Sequence, residues 1–445
     1  MVAMRLRLEA AVAAASAFGA ACLTIQPYQG PGGPALVDYS VDGRGGATVT
    51  TPSLALHFAG GSGFHFPDQL LIDNVDVMGH AASPCWSQSG TGISVVPMPR
   101  VSGDQVDAAL PTMTSQLQAK LSGPAVVQVE VDWTTRWTFP AGEMCSTNLN
   151  HIPGGSSTFT VFPDGQIVRN DHLTDVNPGM EQIMPGQCVC PDTPMIGGEL
   201  INNQFILNAF WTFDRTRFPE QIGLGNNPTP DPLGIAPDKI VTNYSTICLN
   251  SMGGKYQIAS AWVLPPKTPD VSPLAAAYGY DTLLSLGVEK PGTPNLQFPW
   301  DVHGALILEQ SSCTAAFNRA IAYTTPQKLA ITSGSATADL VRSQLDGMYG
   351  GDPGNGNAPG FDVSDGPTTL SLAAPRPDEP PPPPLTGSFT VWLRFPRGSV
   401  PGVPIPTRKG ATDGWFVPQR VDDQNWIVWF RDPLQAGETI TIQPN

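Results

Sequence analysis

The chain has few charged residues, and most of them are acidic. Charged residues make up 14% of the 445 residues, and 38 Asp and Glu against 23 Lys and Arg leave a formal net charge of −15 at pH 7. Because nucleic-acid binding takes much of its affinity from clustered basic side chains, this composition argues against a nucleic-acid partner. It also disfavours a strongly anionic polymer as a ligand.

The sequence lacks the short motifs that mark several common catalytic sites. It contains no Gly-x-Ser-x-Gly elbow and no His-Glu-x-x-His pair. The Gly-rich segment GGDPGNGNAPG is not followed by Lys-Ser or Lys-Thr, which excludes a phosphate-binding loop of that type. The six histidines are too far apart in sequence to form a local metal-binding pair.

Helical periodicity is also scarce, whereas turn-forming residues are abundant. The chain has 46 Gly and 47 Pro, which favour short elements joined by many turns. In AVVQVEVDW, residues 125–133, apolar and polar side chains alternate, as in a sheet with one buried face. Ten Trp and 18 Phe provide material for real cores. We therefore expect an all-β protein whose main region is an antiparallel β-sandwich.

The local pattern predicts one hairpin, several further strands and two short helices. Pro163-Asp164-Gly165 is a typical turn between the β-rich runs TFTVF and QIV. Apolar residues spaced four apart in TMTSQLQAKL, after Pro111, predict a helix over 112–121. CTAAFNRAIAY predicts a second helix over 313–323. Further strands are expected at 53–58, 69–73, 92–97, 204–213, 257–264, 303–309 and 327–332.

The composition suggests a division of the chain into four parts. Residues 1–21 have the layout of a signal peptide, with two Arg before a short apolar run. The run PRPDEPPPPPL lies in a Pro-rich linker, 375–386, which favours polyproline II and acts as a spacer. The linker separates a main β region, 22–374, from a small C-terminal β module, 387–445.

Two processing sites are compatible with the N-terminal segment. Ala15-Ser16-Ala17 has the small-x-small form of a secretory cleavage site. The run GAAC resembles a bacterial lipobox, which implies that Cys22 becomes the lipidated first residue of the mature protein. Either reading places the protein outside the cytoplasm, secreted or as an outer-membrane or cell-surface lipoprotein that contacts the membrane only through its lipid.

The cysteine count fits export. Seven is odd, but setting Cys22 aside leaves six cysteines that can pair completely in an oxidising compartment. Cys188 and Cys190 lie two apart, so on a strand they face the same way and are expected to bond to different partners. A metal site at this pair is the less favoured alternative. The six candidates for disulfides are Cys85, Cys145, Cys188, Cys190, Cys248 and Cys313.

Aromatic residues are concentrated in the C-terminal module. The alternation in SFTVWLRF and NWIVWF places Trp392 and Trp429 on the face opposite the apolar one. A flat indole on such a face can stack on a sugar ring, while polar neighbours bond its hydroxyls. The alternative is that this face is covered by another part of the protein. The candidate ligand-binding residues are Trp392, Arg394, Trp415 and Trp429.

The most suggestive catalytic stretch is IVRNDHLTD, after the predicted hairpin. Arg169, Asp171 and His172 combine a cation, a carboxylate and an imidazole, which suits proton abstraction from a sugar ring. Tyr278 adds a phenol as a candidate acid or base. The alternative is structural, with Asp171 capping a turn and His172 lying on the surface.

One Gly-rich and Asn-rich segment, 347–367, offers oxygen ligands for calcium, although it lacks the regular spacing of a calcium loop. The alternative is a solvated loop. No other cofactor is expected. The candidate ligands are Asp352, Asn355 and Asn357.

Three segments carry a resemblance to a known architecture. GFHFPDQLLIDNVDVMG, VVQVEVDW and TFTVFPDGQIVRND follow one another like strands in large β-sandwich domains of sugar-active enzymes. These are the supersandwich, galactose-mutarotase-like folds of polysaccharide lyases and some glycosidases. The resemblance spans roughly 50–175 and implies a carbohydrate role by analogy; it transfers no catalytic residue.

Two functional hypotheses follow. The first is an extracytoplasmic protein that binds or acts on carbohydrate, as a polysaccharide lyase or glycosidase, with a polysaccharide or cell-surface glycan as partner. The second is a non-catalytic surface lipoprotein that binds glycan or protein, or builds a surface assembly. Convergence of Arg169, His172 or a tyrosine with carboxylates in one cleft would favour the enzyme.

Overall fold

A computed structural model of the chain describes residues 37–61, 65–79, 91–97, 112–136, 147–149, 153–175, 181–183, 203–214, 216–218, 220–224, 244–251, 254–263, 271–278, 281–289, 300–310, 312–324, 328–342, 347–350, 360–374, 385, 387–396, 404–409 and 416–444. The signal segment and Cys22 lie outside these residues, as does most of the linker.

The described chain is almost entirely β, in agreement with the predicted fold class. Its single α-helix of several turns among these residues is α1, Cys313–Thr324. The strands, in chain order, are β1 (Asp38–Val41), β2 (Ala47–Thr50), β3 (Leu54–Phe58), β4 (Pro67–Ile72), β5 (Val75–Asp76), β6 (Thr91–Pro97), β7 (Thr112–Leu121), β8 (Val127–Arg136), β9 (Thr147–Leu149), β10 (Pro153–Val161), β11 (Ile167–Asp175), β12 (Glu181–Ile183), β13 (Asn203–Thr212), β14 (Glu220–Leu224), β15 (Tyr244–Asn250), β16 (Gln257–Val263), β17 (Val271–Tyr278), β18 (Asp281–Glu289), β19 (Trp300–Glu309), β20 (Lys328–Ser333), β21 (Ala336–Arg342), β22 (Tyr349–Gly350), β23 (Phe361–Asp362), β24 (Thr368–Leu372), β25 (Phe389–Arg394), β26 (Pro404–Lys409), β27 (Phe416–Arg420), β28 (Asn425–Phe430) and β29 (Thr439–Pro444).

A central antiparallel sheet of eight strands organises the molecule, in the order β14-β15-β16-β19-β11-β10-β8-β7. The five-stranded meander β1 to β5 packs against one face of it and forms a sandwich. Val129, Phe159 and Ile167 of the central sheet are buried against Leu56 and Phe58 of the meander. We call this interior the sandwich core. Two smaller sheets, β17-β18-β13-β6 and β12-β9, complete the region before α1.

The opposite face of the central sheet is covered over part of its area. Helix α1 packs on β15, β16 and β19, and its Ala316 is buried with Ala259 and Ile307 of those strands. Farther along, Val417 and Trp429 from the C-terminal part of the chain join the same buried cluster. We call this cluster the second core.

The C-terminal sheet is larger than the sequence suggested. It has ten strands, in the order β26-β29-β24-β20-β21-β22-β25-β28-β27 with β23 on β25. Strands on both sides of the Pro-rich segment belong to it, since Thr368 of β24 pairs with Ile442 of β29. The sheet therefore extends back to Lys328, and a boundary at 375–386 does not separate two sheets. The extent of the sheet depends on backbone hydrogen bonds between strands that are distant in sequence, and the composition of the chain does not indicate such pairing.

The predicted hairpin and the second helix are confirmed. Val161 pairs with Ile167 across the turn, and Gly165 takes a φ of 84° there, which favours glycine. Asp164 of this turn is held by Arg319 of α1, with Nη2 to Oδ2 at 2.8 Å. Ser388 also donates to Asp164 Oδ2, at 2.5 Å, so the turn ties the helix to the C-terminal sheet.

The helix predicted over 112–121 is wrong, because this segment forms β7 and pairs with β8. Residues four apart share a face both in a helix and in a strand, so the spacing that suggested a helix is equally compatible with a strand. Leu117 accordingly packs against the sandwich core. A register shift between Ala119 and Leu121 then moves Leu121 to the second core on the opposite face.

One glutamine joins the C-terminal sheet to the central one. Gln419 of β27 accepts hydrogen bonds through Oε1 from the backbone N–H groups of Ala125 and Val126, at 3.1 and 2.8 Å. Gly123 lies so close that a Cβ there would be 2.5 Å from the Gln419 side chain. The glutamine therefore satisfies two buried donors that precede β8.

Candidate functional site

Part of the central sheet presents a polar surface on the side opposite the sandwich core. Cross-strand pairing aligns Gln116 with Asp132, Asp132 with Ser156, and Ser156 with His172, on β7, β8, β10 and β11. Paired residues of adjacent strands project to the same side of a sheet. We call these four residues the polar row.

An open groove lies over the polar row. Its volume is about 540 Å³, and all four members line it together with threonines at the row's flank. Gln116, Asp132 and His172 are exposed and Ser156 is half-buried. The alternate residues of the same strands, such as Val131 and Trp133, are buried in the sandwich core. The apolar face thus fixes the strands rigidly, while the polar face is open to a ligand.

A second line of polar residues runs beside the row and positions it. The Gln118 amide donates through Nε2 to Glu130 Oε1 at 2.8 Å and to Asp132 Oδ2 at 3.4 Å. Lys120 Nζ lies 2.7 Å from Glu130 Oε1. The side chains of Glu130 and Asp132 are therefore held in place by neighbours on β7.

The electrostatics of this surface are dominated by the two carboxylates. Partial burial raises the pKa of Asp132, and the charge of Glu130 raises the same pKa further, while Lys120 opposes both effects. Asp132 consequently holds its proton more readily than an ordinary aspartate. One lysine beside two carboxylates leaves the surface net negative.

The structure divides the predicted catalytic group between two faces. The side chains of Arg169 and Asp171 lie in the sandwich core, with 0% and 1% exposure, and form an ion pair with Nε to Oδ2 at 3.0 Å. His172 lies on the opposite face, because consecutive residues of a strand point in opposite directions. The expected site of Arg169, Asp171 and His172 does not form. Tyr278 ends β17, and its side chain is outside the described residues.

The buried ion pair is held by further contacts inside the sandwich core. Ser157 donates to Asp171 Oδ1 at 2.5 Å. The Arg169 guanidinium lies over the rings of Phe66, Phe159 and Trp262, with 5.6, 5.4 and 5.5 Å from its central carbon to the ring centroids. Both charges are fully engaged inside the sandwich and have no access to a ligand.

Of the candidate tryptophans, the two that the structure describes, Trp392 and Trp429, pack at the second core and do not form the expected platform. Trp429 has 1% exposure and belongs to the second core, because the face that carries it packs on the central sheet. Trp392 is half-buried against the same core, and its Nε1 donates to Asn425 Oδ1 at 3.2 Å. Arg394 forms an ion pair with Asp362, with Nε to Oδ1 at 2.5 Å. Trp415 lies outside the described residues.

Two of the six candidate cysteines are joined in a disulfide. Cys248 of β15 bonds to Cys313, the first residue of α1, with a Cα–Cα distance of 5.8 Å. The other cysteines lie outside the described residues, namely Cys22, Cys85, Cys145, Cys188 and Cys190.

The predicted calcium ligands Asp352, Asn355 and Asn357 also lie outside the described part of the chain. Within the part that is described, no group of three or more His, Cys, Asp or Glu side chains is placed to hold a metal ion. Calcium binding by the segment 347–367 stays a prediction.

The polar row itself was not predicted. Its member Asp132 was visible as an outward residue of AVVQVEVDW, and Ser156 and His172 flank the predicted hairpin. Extending the hairpin register outward from Pro163-Asp164-Gly165 pairs Ser156 with His172, so this half of the row was accessible from the sequence. The pairing of β7 with β8 was not, because the spacing of apolar residues over 112–121 predicts a helix there.

No model of a known protein family matches the chain, and no curated protein is significantly similar to it in sequence. Of the helices in the described residues, none has the length and apolar character needed to cross a membrane.

Proposed function

We propose that this chain is an exported β-sandwich protein that binds a polysaccharide on the polar face of its central sheet. The observation that carries the proposal is the polar row, four hydrogen-bonding side chains in register across adjacent strands under an open groove. The resemblance of the segment 50–175 to sugar-active sandwich folds points to the same class of ligand by analogy.

The chemistry of the row suits a hydroxyl-rich ligand. Asp132 accepts hydrogen bonds, Gln116 both donates and accepts, and the Ser156 hydroxyl and His172 imidazole do the same. Each sugar hydroxyl can both donate and accept, so it can pair with any member of the row. The groove is open to solvent, as expected for a polymer that passes through rather than a small molecule that is enclosed.

Replacing Asp132 with Ala should weaken glycan binding by about tenfold or more, since a hydrogen bond to a charged group contributes about 1.5–3 kcal/mol. His172→Ala should weaken binding by a smaller factor. Retention on a glycan array identifies the ligand, and calorimetry with the best glycan measures the change in affinity.

The matched control replaces Thr332 and Thr337 with Ala. These residues face each other across two strands of the C-terminal sheet, with their hydroxyls 3.3 Å apart, and this sheet is not the one that carries the polar row. Their replacement should leave affinity unchanged. Failure of every glycan to bind, or equal affinity of Asp132→Ala and the wild type, would contradict the proposal.

A second candidate function is glycoside hydrolysis. It is favoured by the pairing of Glu130 and Asp132 on one strand, with Cβ atoms about 7 Å apart and one glutamine amide bonded to both carboxylates. Asp132, whose pKa is raised, would donate a proton to the glycosidic oxygen as its bond to the anomeric carbon breaks, and Glu130 would take a proton from the water that attacks that carbon. Release of reducing ends in the binding assay, abolished in Asp132→Asn while binding persists, would establish it.

The proposal includes export of the protein from the cytoplasm. The Cys248–Cys313 bond supports it, because structural disulfides form in oxidising compartments. We place the mature N-terminus at Cys22, as a lipid anchor. Labelling of expressing bacteria with a fatty acid should mark the wild type and not Cys22→Ser. An unmodified mature N-terminus at Phe18 would overturn the anchor and leave export intact.

A further inference from the structure

We propose that the ligand is an extended, β-linked glycan that crosses the strands, with successive sugar units on successive members of the polar row. This rests on the proposed function and adds the linkage class and the direction of the chain.

The spacing of the row is the first argument. Its members lie on four adjacent strands, and neighbouring strands are about 4.8 Å apart, so the row is about 15 Å long. This step is close to the advance per unit of a flat pyranose chain with equatorial β linkages. Gln116, Asp132, Ser156 and His172 therefore offer one polar contact per sugar unit, in phase with such a chain.

The rigidity of the row is the second argument. Its strands are fixed by register on the other face, where Val131, Trp133 and Phe159 are buried in the sandwich core. Asp132 is further held by the Gln118 amide. A preorganised row of contacts favours a ligand that already has a matching, extended conformation, because neither partner pays to reorganise. An α-linked chain coils and loses phase with the row after one or two units.

The row also has a defined end. Among the described strands, β7 is at the edge of the central sheet, so Gln116 is the last member of the row on that side. A sugar unit beyond Gln116 leaves the sheet and makes no contact with the row. Affinity should therefore rise with chain length and stop rising when the row is filled.

Charge restricts the class further. Asp132 and Glu130 face the ligand side of the sheet, and Lys120 neutralises only part of their charge through its contact with Glu130. Chains of uronic acids would meet like charge along the row. The ligand is accordingly uncharged at most of its units.

The test is a length series measured by calorimetry on the intact protein. Oligomers of β-1,4-linked glucose, mannose and N-acetylglucosamine, from monomer to hexamer, are compared with α-1,4-linked glucose oligomers and with a polyuronate. We expect affinity for one β-linked series to increase at least tenfold from dimer to tetramer and then level off. The α-linked tetramer and the polyuronate should bind at least tenfold more weakly.

A variant makes the test specific to the row. Gln116→Ala removes the terminal contact, so the affinity should level off one unit earlier, while the double replacement of Thr332 and Thr337 with Ala should not move this point. Far-ultraviolet circular dichroism checks that each variant is folded.

The outcomes separate the two proposals. Glycan binding that is independent of length, or equal for α and β linkages, overturns this inference and leaves the proposed function standing. A wild-type protein that binds none of these oligomers, and no glycan on an array, overturns both. A plateau that does not shift in Gln116→Ala contradicts the placement of the chain along the row.

Discussion

An Asp171→Asn variant is expected to lose about 3–5 kcal/mol of unfolding free energy, because the Arg169 charge would be left in the sandwich core without a counter-charge. Both side chains are fully buried, and the guanidinium contacts the carboxylate through Nε and Nη2. The substitution keeps the shape of the side chain, so the loss reports on charge and hydrogen bonding. Urea unfolding followed by tryptophan fluorescence measures it.

A surface pair provides the matched control. Arg420 and Asp423 form an ion pair of similar geometry, with Nη2 to Oδ1 at 2.7 Å, but Asp423 is almost fully exposed. Asp423→Asn should change stability by less than about 1 kcal/mol, because solvent screens such pairs. Equal effects of Asp171→Asn and Asp423→Asn would contradict the assignment of the buried pair to the core.

The buried pair of Arg169 and Asp171 allows a sharper test. Burial raises the pKa of Asp171 and lowers the pKa of Arg169, while their mutual attraction opposes both changes and the Ser157 hydrogen bond opposes the change at Asp171. Burying the pair therefore carries a desolvation cost, which an apolar pair would avoid. The double replacement Arg169→Met with Asp171→Leu should recover most of the loss seen in the single variant. A double variant as unstable as Asp171→Asn would show that the pair contributes more than mutual neutralisation.

The local elements were largely predictable from the sequence. Alternation in AVVQVEVDW gave both the strand β8 and its buried face, and Pro163-Asp164-Gly165 gave the hairpin, because each depends on neighbours in sequence. The assignment of 112–121 failed since a spacing of four residues fits both periods. The C-terminal sheet was not predictable, because the pairing of β24 with β29 joins strands about seventy residues apart in sequence.

The site could be predicted only in part, for a related reason. Arg169, Asp171 and His172 were grouped by proximity in sequence, but on a strand the odd and even residues separate onto two faces. His172 therefore keeps a place at the groove while Asp171 and Arg169 enter the core. The other members of the polar row lie on other strands than His172, and the hairpin turn predicts only the pairing of His172 with the nearest of them, Ser156.

Loss of the Cys248–Cys313 bond is expected to lower the unfolding free energy by about 4 kcal/mol, from the entropy of an open loop in the unfolded chain. The bond closes a loop with a sequence separation of 65 residues. It also fixes the start of α1 on β15, inside the second core where Cys248 is buried and Trp429 packs. The effect should therefore extend to the contact between the central and C-terminal sheets.

A set of three variants separates the bond from the packing of its atoms. Cys248→Ala, Cys313→Ala and the double variant all open the same loop, so each should lose a similar free energy in urea unfolding without reductant. If packing of the buried sulfur dominated instead, Cys248→Ala would lose most of the stability and Cys313→Ala little, since Cys313 is only half-buried. The bond also links stability to location: protein made in a reducing cytosol should match the double variant in stability, and protein exported to an oxidising compartment should exceed it. Equal stability in both preparations would remove the disulfide as support for export.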